Sequence, residues 1–106
     1  MKFLMSRELT QGKYFVKVML KEFSDDDQKK ASKFGMPTLS VRYQDGRYYS
    51  VPINEVAQFP LYPFENQKSA DDYTENLKTQ INDLKNNWAT LKDTWSKQEE
   101  RGGLGS

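Results

Sequence analysis

The sequence predicts a small α+β domain. A three-stranded, mainly antiparallel sheet, in the order strand, helix, strand, strand, helix, is packed by one long C-terminal amphipathic helix. Three observations predict it. Apolar residues alternate with polar ones over residues 13–22, and again on both sides of Asp45-Gly46, which is the period of a strand. Large apolar residues recur at Tyr73, Leu77, Ile81, Leu84, Trp88, Leu91 and Trp95, and after the first step their spacing runs four, three, four, three, four. That is the period of one helix face and nearly that of a coiled-coil seam. Finally, a chain of 106 residues has room for one domain. The expected unit is residues 1–100, with the Gly-rich residues 101–106 as a disordered tail.

Residues 1–12 read as a loosely ordered lead-in, closed by Gly12. In the first strand, residues 13–22, Tyr14, Val16, Val18 and Leu20 share a face that should be core. Phe15, Lys17, Met19 and Lys21 take the other, half-wet face. A short helix follows. Ser24 is a good N-cap with Asp27 three residues on, and Asp25 and Asp26 suit the positive end of the helix dipole. Gly35 and Pro37 end it.

Next comes a hairpin. A two-residue turn at Asp45-Gly46 would pair Val41 with Ser50, and so set the apolar residues of the two arms on opposite faces. A three-residue loop, Gln44-Asp45-Gly46, pairs Val41 with Tyr49 and Leu39 with Val51, and is the predicted register. Residues 54–58 suit one helical turn. Residues 59–64 are too apolar for a free loop and too rich in proline for a central strand, so they should lie across the open edge of the core or dock a partner. A second capping box at Ser69 and Asp72 opens the long helix, expected at 69–100. About 30 residues make about 45 Å of helix, whereas strands of this length span about 20–27 Å. The helix should overhang its sheet.

Composition excludes several chemistries. The chain has no Cys and no His, so Cys nucleophiles, Ser–His pairs, disulfides and ordinary zinc sites are out. Asp25, Asp26 and Asp27 point about 100° apart on a helix and do not converge on a metal. No carboxylate pair stands out as acid and base, so neither an enzyme nor a cofactor is expected. Charge is balanced at 16 basic against 15 acidic residues, unlike a general polyanion binder. The apolar run Phe3-Leu4-Met5 is too short for a signal peptide, and no stretch approaches a membrane span, so a cytoplasmic protein is expected. The profile fits small accessory proteins of phages and bacteria.

Two functions suit this reading. The first is a non-enzymatic protein-interaction module serving assembly or regulation. Its overhanging seam (Leu84, Trp88, Leu91 and Trp95) would bury against a second copy or a partner helix, with Phe59, Leu61 and Phe64 contributing. The alternative is a nucleic-acid module, in which Phe15, Lys17 and Lys21 lie beside Arg42, Arg47 and Tyr48 on an open sheet face.

Overall fold

The computed structural model describes residues 1–105, with the side chains of residues 1–99. Four strands and two helices follow in order: β1 (Lys2–Thr10), β2 (Lys13–Lys21), α1 (Asp25–Phe34), β3 (Thr38–Arg42), β4 (Tyr48–Pro52) and α2 (Gln67–Gly105). A single 3-10 turn, Val56–Gln58, sits between β4 and α2. The expected tail at 101–106 lies outside the residues whose side chains are described. No helix among the described residues is long and apolar enough to cross a membrane.

The α+β class and the long C-terminal helix match the sequence reading, but the single three-stranded sheet does not form. The strands make two separate two-stranded antiparallel sheets, β1–β2 and β3–β4. The lead-in is itself a strand: β1 pairs with β2 over nine residues, from Lys2–Lys21 to Thr10–Lys13. Gln11 and Gly12, both at positive φ (53° and 76°), make the two-residue turn whose twist matches a hairpin. β3 does not join this sheet because its free edge is already occupied. The amide of Gln80 on α2 accepts from the Ser40 N–H (2.8 Å) and donates to the Ser40 C=O (3.1 Å). Seven residues earlier on α2, the Tyr73 hydroxyl accepts from the Arg42 N–H at 3.1 Å. Two side chains on one helix stripe thus take the place of a neighbouring strand.

The β3–β4 hairpin adopts the predicted three-residue loop. Val41 faces Tyr49 and Leu39 faces Val51. The Tyr43 N–H bonds the Arg47 C=O at 2.8 Å, and Gly46 takes φ 85°, where a Cβ would be strained. α1 is capped as expected, with the Ser24 hydroxyl accepting from the Asp27 N–H at 3.1 Å. α2 starts slightly earlier than its Ser69 box implies. Asn66 is an equally good cap, and its side-chain oxygen accepts from the Ser69 N–H at 2.8 Å.

The main core gathers Val16 and Val18 of β2, Leu39 and Val41 of β3, Val51 of β4, then Ile53, Val56 and Phe64 from the connector. Ala70, Tyr73, Leu77 and Ile81 of α2 close it. The connector also lies on a sheet edge: Tyr14 of β2 exchanges both backbone hydrogen bonds with Phe64, at 2.8 and 2.9 Å. α2 overhangs this core, and a helix of 39 residues, about 58 Å long, matches the 57 Å long axis of the molecule.

A second, smaller cluster covers the overhang. Ala31 and Trp95 are fully or almost fully buried yet stand apart from the main core. Trp88 packs edge-on against Trp95, with ring centres 5.3 Å apart, and tilts onto Phe23 at 5.8 Å. Asp27 of α1 meets Lys92 of α2 at 3.5 Å. Helix α1 therefore docks on the distal half of α2. The reading that Trp88 and Trp95 lack cover within the chain is corrected: Trp95 is buried, and Trp88 packs between it and Phe23.

Candidate interaction surface

Among the described residues, the large apolar side chains that remain well exposed are Leu4, Leu9, Tyr48 and Tyr49. Leu4 and Leu9 belong to β1, and Leu9 is 62 % exposed. They sit beside a free backbone edge. Both peptide groups of Tyr14 are turned toward Phe64, so Tyr14 shares no hydrogen bonds with its cross-strand neighbour Leu9. Since bonded and non-bonded pairs alternate, the peptide groups of Phe3, Met5, Arg7 and Leu9 all point away from β2. Among the described residues, no backbone group pairs with them.

The other sheet edges are each occupied or shortened in part. Tyr73 and Gln80 occupy the edge of β3, and Phe64 bonds the start of β2. β4 is five residues long and ends in Pro52, which has no N–H to offer. β1 carries charges at Lys2, Arg7 and Glu8, but it has nine residues, no proline and an unbroken register, so neither shortness, proline nor a bulge discourages pairing there. Its tether to the fold is on the core side, where Arg7 forms an ion pair with Asp71 and donates to the Thr74 hydroxyl at 3.2 Å.

The outward face of the β1–β2 hairpin carries Lys2, Leu4, Ser6 and Glu8 from β1 and Phe15, Lys17, Met19 and Lys21 from β2. Lys2 stands directly opposite Lys21, Leu4 opposite Met19, and Glu8 opposite Phe15. The lysines are exposed, while Phe15 and Met19 are half-buried.

Arg42 does not join this face, contrary to the sequence reading, because β3 and β2 belong to different sheets. Its guanidinium lies 4.1 Å from the Tyr62 ring centre and 5.8 Å from that of Tyr48, and its Nε donates to the Gly46 C=O at 3.1 Å. Tyr48 is its cross-strand partner, as expected. Arg47 is exposed on the hairpin turn, where its N–H donates to Asp45 at 2.8 Å. Asp45 also accepts from the Tyr49 hydroxyl at 2.6 Å. That bond, with the Arg47 N–H, lowers the Asp45 carboxyl below its ordinary range and raises the Tyr49 hydroxyl above its own.

The residues expected at a protein interface are buried or half-buried. Trp95 and Phe64 are each 3 % exposed, and Leu84, Trp88, Leu91, Phe59 and Leu61 are half-buried. The sequence reading missed β1 and its Leu4 and Leu9. Phe3, Met5 and Leu9 do carry a strand period, but Arg7 interrupts it and Gln11 is an unusual residue for its turn. Comparison with protein-family models, with curated proteins and with solved structures finds no match to this chain.

Proposed function

We propose that this protein is a non-enzymatic protein-interaction module whose docking element is the outer edge of β1. The observation that carries the reading is the contrast between edges: β3 is capped by two side chains of α2, whereas the outward peptide groups of Phe3, Met5, Arg7 and Leu9 on β1 have no partner among the described residues. An extended partner segment added there gains main-chain hydrogen bonds from Phe3, Met5, Arg7 and Leu9. It also covers Leu9, an exposed leucine with no role in the core. The seam of α2 supports docking less well, since α1 and Phe23 already pack on it.

Selection of random peptides on the immobilised protein tests this. Selected peptides should bind as strands, slow amide exchange at Met5 and Arg7, and lose binding to Met5→Pro, which removes one outward N–H and leaves the β2 ladder intact. Peptides that bind Met5→Pro as well as the parent would place docking elsewhere.

One observation favours a second reading. Lys2, Lys17 and Lys21 share the outward hairpin face with Phe15, an arrangement suited to a single-stranded nucleic acid. On that reading a labelled oligonucleotide binds with steep salt dependence, and Lys17→Ala with Lys21→Ala weakens it.

A further inference from the structure

Resting on the docking reading above, we propose that the strand β1 receives is β1 of a second copy, in antiparallel register centred on Met5. Two copies related by a two-fold axis normal to the sheet keep their core faces on the same side. Opposed residues then share a face, and the register must be centred on a residue. Centring on Arg7 opposes two like charges, and centring on Ser6 opposes Leu4 to Glu8. Centring on Met5 opposes Lys2 to Glu8, Phe3 to Arg7 and Leu4 to Ser6, and brings the exposed Leu9 against Met1. Residues 1–9 are then all paired, with two opposite-charge pairs and no like-charge pair across the new seam.

A feature of the single chain argues for the same occupant. Lys2 faces Lys21 directly across the hairpin, a like-charge pair that costs stability and that no carboxylate of the chain relieves at ion-pair distance among the described residues. Among the described residues, Glu8, exposed and opposite the uncharged Phe15, has no cation at that distance. The second copy brings the Lys2 ammonium and the Glu8 carboxylate together twice. They meet at a non-hydrogen-bonded pair, where side chains approach most closely. The outcome is a continuous four-stranded sheet, β2–β1–β1–β2, with no unguarded edge at its centre.

Sedimentation of the full chain across a concentration series tests the proposal. A monomer–dimer equilibrium is expected. Lys2→Glu and Glu8→Lys should each weaken it by about tenfold, and the double variant carrying both should restore it. Both positions are exposed, so the fold tolerates the changes. Mixing single-cysteine variants Leu4→Cys and Ser6→Cys should give the mixed disulfide in preference to either homodimer. Rapid Ser6–Ser6 cross-linking, a dimer indifferent to both charge changes, or a monomer at every concentration overturns the proposal. If the chain is monomeric but selected peptides still compete at β1, the docking reading stands without the second copy. If neither binds, both readings fall.

Discussion

The side-chain amide of Gln80 holds both backbone groups of Ser40, accepting from its N–H at 2.8 Å and donating to its C=O at 3.1 Å. A second bond steadies that amide, since Gln80 also donates to Asn76 one turn back, at 2.7 Å. The pair explains why the chain has two small sheets. An amide carries one donor and one acceptor in the arrangement that a strand presents, so one glutamine ends the sheet where a further strand would begin.

Gln80→Ala leaves two half-buried backbone groups without partners. The expected loss is about 1–2 kcal/mol, read as a lowered midpoint in urea. Gln80→Glu keeps the acceptor and loses the donor, so it should fall between alanine and the parent near neutral pH.

Burial pushes the Tyr73 hydroxyl above the ordinary tyrosine range, although the Arg42 N–H opposes this. As pH rises past about 10, the unfolded chain gives up this proton while the native chain keeps it. The stabilisation is therefore complete below that pH and is lost as pH climbs through the raised native value. Tyr49, raised by its bond to Asp45, acts in the same direction. Tyr73→Phe should make the alkaline decline of the unfolding free energy shallower, and should lower stability at neutral pH by about 1 kcal/mol through the orphaned Arg42 N–H.

Trp95→Ala empties the centre of the second cluster. A loss of about 3–5 kcal/mol is expected in chemical denaturation. On the assembly proposed above, the variant keeps the sedimentation behaviour of the parent under folding conditions. A change of oligomeric state with retained stability would return the interface to α2.

Gln11 pays a left-handed backbone cost in the β1–β2 turn, where Asn before Gly is the favoured choice. Gln11→Asn should raise stability by about 0.5–1 kcal/mol, measured as a higher midpoint without a change in slope.

Much of the β3–β4 hairpin and of α1 was legible because local chemistry decides them. Gly46 permits its turn, matched faces select the register, and Ser24 and Gly35 bound the helix. The period of α2 was equally plain, and it correctly implied a helix longer than its sheet. What covers that helix was not legible. Phe23 packs on Trp88, more than 50 positions away, and nothing in its neighbourhood signals the contact. The site suffered twice. β1 was hidden by Arg7, whose place on the core face makes sense only beside Asp71. Arg42 was assigned to the wrong surface, because strand alternation gives a face but not which sheet the strand joins.

Both tryptophans of the chain, Trp88 and Trp95, sit in the cluster between α1 and α2, and neither is a buried member of the main core. Intrinsic tryptophan emission is thus a private signal from one end of the molecule. Far-ultraviolet dichroism reads the helices and sheets together. The interval between the two melting curves measures whether α1 lets go of α2 before the rest of the fold gives way.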